Sequence, residues 1–414
     1  MKVKYKSIIM FIVIILVLME CEFNYMLPLG ILSSPESVKL LKAILCLLAL
    51  FLYRVKCQHV KISKELRIVE GLFVLIIPIN IIVSIATGMK PLDALLSASH
   101  YFFIFLIEPV CYLLFEKTYR DRLIKIVLAG GCVTLILRCI MAFYYHYNNN
   151  AELFPKLSLS ASSKIRYSDF FGYNMLRVYP SCFGAVVLFG FAYIALVAPK
   201  KWQRLISVIV AGFTYAYYAL IYQTRSYMVI FIIELFILIL FKRYKKNKSI
   251  KTVAKYIVVV VTVCFVWNTA FMQNLLNSFS VDSELGDSTT IRLVGFGLMM
   301  SKIVTSFPFG IGGNNGFESF AGLIYADDYG CLDFIVKNNI LGLLVYLLLC
   351  IYFCVNLYRT RGSQYNLLML TVVCVFVSSM LCVDNFLPRK IGAVPFIIAL
   401  FEYCRIQAHS CLKE

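Results

Sequence analysis

Four arginines, a glycine-rich run and two adjacent aspartates are the side chains of this 414-residue sequence best suited to chemistry. Arg225 lies in the polar turn Thr224-Arg225-Ser226, Arg292 follows a GDSTT run, and Arg166 and Arg177 share a polar segment over 148–177. An arginine's planar fork donates two charge-assisted hydrogen bonds to phosphate oxygens, so arginines beside polar or glycine-rich chain suit a phosphate or pyrophosphate. A single such arginine is better explained by snorkelling at a membrane interface, and only two together bring the readings level. The run SFPFGIGGNNGF supplies Gly310 and Gly312, whose freedom to take positive φ fits a phosphate or sugar cradle. No GK[ST] follows, which excludes a nucleotide P-loop, and a plain turn explains the glycines as well. Asp327 and Asp328 precede the next apolar run, with Asp333 just beyond. One carboxylate there could take a proton from an attacking hydroxyl as general base; solvated loop acids are the other reading. The fifteen cysteines form no CxxC pair and sit mostly inside apolar runs, so neither a metal site nor a cofactor is expected.

The elements that must position these residues are membrane helices. The sequence is 61% hydrophobic and only 15% charged, with a mean hydropathy of +0.82, which marks an all-α, polytopic integral membrane protein. Apolar windows predict about twelve transmembrane helices, near 8–31, 38–53, 68–87, 99–116, 124–147, 178–198, 205–222, 227–241, 256–272, 336–356, 366–384 and 391–404. The first follows MKVKYK and lacks a small-residue cleavage site, so it reads as a retained span.

The formal charge of +18 is concentrated in alternate short loops, which the positive-inside rule keeps cytoplasmic. Charge is therefore a topology signal, with anionic lipid headgroups as a second use, and no nucleic-acid partner is expected. Twelve crossings put both termini in the cytoplasm and two long segments outside: 148–177, and a larger loop over 273–335 with short helices. In that loop a helix is expected from Ile291 to Val304, capped by Asp287 or Ser288, with Arg292 in its first turn. Glu70, Glu108, Arg138 and Glu234 fall inside predicted spans, where charge is costly unless paired. Glu108 and Arg138 fall at similar depth in neighbouring predicted spans and are expected to form a structural ion pair, with a proton relay as the other reading.

The Thr224-Arg225-Ser226 turn, then Arg292, Pro308, Gly310 and Gly312, then Asp328, Tyr329, Leu332 and Asn339–Gly342, resemble in order and spacing the O-antigen ligase and polymerase superfamily. The resemblance covers about 205–356. Where ligases of that superfamily place a histidine this chain has Asp328, which is closer to the repeat-unit polymerases; Asn339 replaces the first glycine of the usual G-I-L-G.

What the resemblance implies is a metal-independent membrane glycosyltransferase of the bacterial inner membrane. Its donor and acceptor would be undecaprenyl pyrophosphate-linked oligosaccharides, used to build O-antigen or a similar surface polysaccharide. Asp328, Arg292 and Arg225 would be catalytic, and Thr224, Ser226, Arg166, Arg177, Gly310, Gly312 and Asp327 would bind substrate. A chain-length regulator and a flippase of the same pathway would be its partners. A ligase moving finished glycan to lipid A core stays open, as does a flippase or transporter, which would instead need charges lining a midplane cavity.

Overall fold

The computed structural model describes residues 2–25, 34–56, 62–148, 153, 166–168, 175–222, 225–241, 286–313, 329–382 and 384–411. Among them the chain is helical apart from one antiparallel ladder. The first helices are α1 (Lys2–Glu20), α2 (Pro35–Lys56), α3 (Lys64–Ala86), α4 (Pro91–Ala98), α5 (Ile107–Leu114) and α6 (Lys117–Tyr147). The ladder pairs β1 (Arg166–Ser168) with β2 (Met175–Arg177). Then follow α7 (Gly184–Val197), α8 (Lys201–Tyr217), α9 (Arg225–Phe241), α10 (Gly286–Thr305), α11 (Cys331–Arg359), α12 (Asn366–Cys382) and α13 (Val394–Cys411).

Among the described residues, six continuous helical stretches are long and apolar enough to cross a membrane: Lys64–Ala86, Pro91–Leu114, Lys117–Tyr147, Lys201–Tyr222, Cys331–Arg359 and Ile391–Ser410. Shorter apolar helices fill the bundle between them, and the protein is a polytopic membrane protein. The predicted window 256–272 lies outside the described residues. Two windows need correction. The first helix stops at Glu20, not near 31, because Glu20 pairs with Lys42 of α2 (2.6 Å) and the chain turns at Glu22 with φ 63°. The fourth crossing starts at Pro91, eight residues before the predicted window, and tightens into 3₁₀ turns over Ser99–Leu106.

Contacts collect several of the basic loops at one end of the bundle. Lys6 pairs with Glu116 (2.9 Å), Arg120 reaches the Tyr403 hydroxyl, and Glu402 accepts from Ser63 N (2.7 Å) and from Arg405. This basic end also holds Arg54, whose Nε lies 2.7 Å from Glu108 and whose NH2 lies 3.9 Å from Glu70.

The expected Glu108–Arg138 pair therefore does not form. From the α5–α6 turn, Glu108 lies nine residues from Lys117, about 13 Å at 1.5 Å per residue, whereas Arg138 lies about 31 Å along α6. Arg138 is at the far end, where it donates to Glu22 and to the Tyr179 carbonyl.

At that far end α11 is interrupted. Asn339 takes φ 45° and ψ −121°, so the carbonyls of Val336 and Lys337 are turned from their ordinary i+4 donors. The turn after α10 supplies replacements: Ile311 N donates to Val336 O (3.2 Å) and Gly312 N to Lys337 O (3.1 Å). Asn339 Nδ2 donates to Ile303 O (2.7 Å), fastening α10 to the break. Asn338 bridges Asn80 of α3 and the Tyr101 hydroxyl, and Gly313 N donates to Ser84 Oγ (2.7 Å). Phe73, Tyr101, Phe334, Tyr346 and Phe386 pack around the half-helix before the break, with Phe334 and Phe386 4.5 Å apart at ring centres.

Gly310 and Gly312 hold φ of +82° and +68°. A Cβ on Gly310 would run into the Lys337 carbonyl, and one on Gly312 would sit 2.6 Å from Ser84 Oγ. Gly312→Ala is therefore expected to cost about 2 kcal/mol or more. A lowered thermal midpoint of the purified protein checks this, with Gly297→Ala, which meets nothing within 4 Å inside α10, as the control that does not lower it.

Candidate functional site

The glycines predicted as a ligand cradle are thus occupied by protein: their close approaches are to α11 and α3. The α10 helix begins at Gly286, five residues before the predicted start, so Asp287 and Ser288 lie within its first turn and do not cap it. Arg292 then falls in the second turn, beyond the free N–H groups of the helix end. Thr224, Asp327 and Asp328 lie outside the described residues. Asp333 is buried at the start of α11 and accepts from Lys337 Nζ (2.8 Å).

Arg225 and Ser226 open α9, and the next residue, Tyr227, lines a small pocket of about 30 Å³. Arg177 ends β2, where its Cα partner is Arg166, and the chain reaches the same pocket two residues later at Tyr179. Three of the sequence candidates thus lie along the backbone beside one pocket, whereas Arg292, Gly310 and Gly312 belong to the α10–α11 arrangement.

The pocket is built from tyrosines and two cations. The last turn of the α8 crossing widens into a π-helical turn over Tyr218–Tyr222, a local irregularity often found at functional sites. Tyr218 and Tyr222 lie 5.6 Å apart, each within 6.2 Å of the Tyr227 ring, and Tyr179 packs on Tyr222 at 5.3 Å. Gly184 leaves room for the Tyr218 hydroxyl, since a Cβ there would come within 2.9 Å of it.

The loop between α12 and α13 brings the cations. Arg389 lies over the Tyr179 ring at 4.7 Å, and Lys390 lies over Tyr227 at 4.4 Å and also contacts its hydroxyl. Each cation is held over an aromatic face. The loop is fixed from behind: Asp384 accepts from the Tyr346 hydroxyl and from Phe386 N (3.0 Å), and Asn385 Nδ2 donates to Phe376 O (3.0 Å). Burial, then the Asp333 charge, pushes the Asp384 carboxyl well above its usual range. Burial likewise pulls the Lys390 ammonium down to about 7. An amine poised there gains a proton and full charge when an anion arrives.

No protein-family model matches the chain, and no curated protein is significantly similar to it. The assignment of the site therefore rests on its own chemistry. Among the described residues no group of three or more His, Cys, Asp or Glu side chains is placed to hold a metal ion. What the pocket offers is charge-assisted donors and tyrosine faces, at the end of the bundle away from the Arg54, Glu116 and Glu402 contacts.

Arg389 and Lys390 escaped the sequence reading because the loop Asp384–Lys390 is short and its two cations look like one more basic turn. The available signal was parity: in a twelve-span topology this loop falls on the face opposite the other basic loops. The tyrosine spacing 218, 222, 227 was a second, weaker cue.

Proposed function

We propose that this protein polymerises lipid-linked oligosaccharide repeat units at the outer face of the bacterial inner membrane. The observation that supports it most is the pairing of Arg389 and Lys390 with four tyrosines beside the Arg225 helix start. A pyrophosphate leaving group needs cations that meet the charge as it develops, and a glycan needs aromatic and hydroxyl surface beside them. In this reading the chain crosses the membrane twelve times with both termini in the cytoplasm, and the segments 148–177 and 273–335 face outward.

The donor is a growing glycan on undecaprenyl pyrophosphate, and the acceptor a single lipid-linked repeat. A hydroxyl of the acceptor attacks the donor's anomeric carbon as the bond from that carbon to the pyrophosphate oxygen breaks. The lipid pyrophosphate departs with the electron pair, and the hydroxyl proton passes to a carboxylate, with Asp328 as the assigned base. Arg225, Arg389 and Lys390 neutralise the leaving group; Arg292 is assigned to the second lipid-linked substrate. Neither metal nor nucleotide enters this scheme.

Three of the four charges read from the sequence as intramembrane have partners: Arg138 with Glu22, and Glu70 and Glu108 with Arg54. That leaves little for a flippase to use along a central path. The test is a deletion strain complemented with variants, its surface glycan separated by size. Arg225→Ala and Arg292→Ala are expected to leave the protein expressed and the glycan at one repeat. Normal long ladders in both would remove the assigned roles. Absence of even the single repeat in the deletion strain would identify a flippase, and long glycan left on its lipid carrier a ligase.

A further inference from the structure

The turn between α7 and α8 carries a groove that the proposed reaction does not use. α7 starts at the cation–tyrosine pocket, where Ala185 and Val186 line it, and runs toward the basic end, where Tyr193 lies near Cys404 of α13. Pro199 holds Ala198 extended (φ −54°, ψ 134°), which ends α7, and α8 returns from Lys201. Arg204 Nε donates to the Ala198 carbonyl and closes the turn. Between the two helices lies an open groove of about 410 Å³. It follows α7 from Phe191 to Val197, six residues or about 9 Å, and is faced by Trp202 and Ile206 of α8. Val197, Trp202 and Ile206 are exposed, so the groove opens on the surface that faces lipid. Two polar side chains also line it, Tyr193 and Gln203, and neither has a hydrogen-bond partner among the described residues.

At the mouth of this groove the charge is one-sided. Lys200, Lys201 and Arg204 stand within five residues, and the sequence has no Asp or Glu between Asp169 and Glu234. Lys200 and Lys201 are exposed, and among the described residues neither has an acidic partner. We infer that the groove binds an anionic diacyl phospholipid of the phosphatidylglycerol kind. Its phosphate sits between Lys200 and Lys201, and one acyl chain lies along the groove against Ile194, Trp202 and Ile206. Gln203 and the Tyr193 hydroxyl are available to its glycerol and ester oxygens. Charge selects the headgroup, because a zwitterionic lipid would bring its own ammonium to a mouth that already carries two, and basic clusters at helix ends recognise anionic lipids. Lysines that only anchor a helix end snorkel to water and need no groove beneath them. A second copy docked through the same face would set the same cations against one another. The assignment is independent of the reaction proposed above, with which it shares no residue.

Trp202 makes the test direct, because the sequence holds one other tryptophan, Trp267. Full-length protein with Trp267→Phe is reconstituted in phosphatidylcholine vesicles containing rising fractions of dibrominated phosphatidylglycerol or dibrominated phosphatidylcholine. Bromine quenches indole emission on contact. Half-quenching of Trp202 is expected at an about tenfold lower fraction of the anionic lipid. Lys200→Gln with Lys201→Gln should bring the two lipids within about twofold of each other. Val197→Phe, which fills the groove from α7, should weaken quenching by the anionic lipid severalfold with both lysines in place. If Trp267→Phe does not fold, native mass spectrometry of the unaltered protein carries the same comparison: one phosphatidylglycerol is retained, and none after the double lysine change. Equal half-quenching by the two lipids would overturn the inference, as would an anionic preference that survives the loss of both lysines. Absence of quenching by either lipid would mean that protein covers the groove, and would overturn it too.

Discussion

Lys390→Gln is expected to lower polymer formation roughly hundredfold, the usual effect of removing one donor to a charge that develops in the transition state. Surface glycan should collapse to short forms although the protein is still made. Lys390 is half-buried, and Tyr179, Tyr218, Tyr222, Tyr227, Cys182 and Arg389 are the titratable or charged groups around it. The sign of its pH dependence follows. A lysine whose folded pKa lies near 7, below its free value, is charged under pH 7 and neutral above it. Affinity for a pyrophosphate lipid should therefore fall as pH rises through about 7. Lys390→Arg should keep its charge and remove that dependence, because a guanidinium stays protonated. Binding to Lys390→Arg that tracks the wild-type pH profile would dissociate the residue from the anion.

Arg138→Leu is expected to be the most destabilising single change in the bundle, by about 3–5 kcal/mol. Its guanidinium is 2% exposed and is shared between Glu22 and the Tyr179 carbonyl. Removing it strands a carboxylate after α1 and frees the strand exit that carries Tyr179 into the pocket. Arg138→Leu with Glu22→Leu should recover most of the loss, because an apolar pair of similar volume replaces a buried ion pair at little cost. The exchange Arg138→Glu with Glu22→Arg should also recover, and the exchange of Arg138 with Glu108 should not. Thermal unfolding in detergent separates these outcomes, and rescue by the Glu108 exchange would contradict the geometry.

Membrane helices were legible in the sequence because hydrocarbon demands runs of apolar residues that almost no other fold needs. Helix contacts were not, since they depend on how far along a crossing each residue falls. Glu108 and Arg138 seemed level when windows were compared, and the antiparallel turn at Phe115–Lys117 separates them by most of a bilayer half. The glycine run was read as a cradle for ligand because positive φ and close approach are signatures that a buried backbone shares with a bound phosphate. Here the neighbour is a carbonyl of a broken helix. Arg225 was visible as an isolated cation in a polar turn. Arg389 and Lys390 stood in a loop too short to attract notice, and only tertiary packing brings them to Tyr179 and Tyr227.

The break at Asn339 bears on how the chain is assembled. A backbone carbonyl without a donor costs several kcal/mol in hydrocarbon, and this crossing carries two, at Val336 and Lys337, whose donors lie more than twenty residues upstream. The crossing Cys331–Arg359 thus cannot settle into lipid as an independent helix when it leaves the ribosome. It must wait beside α3 and the α10 turn, both made earlier, and insert as their partner. The two hydrogen bonds thus tie the final geometry of this crossing to segments made before it.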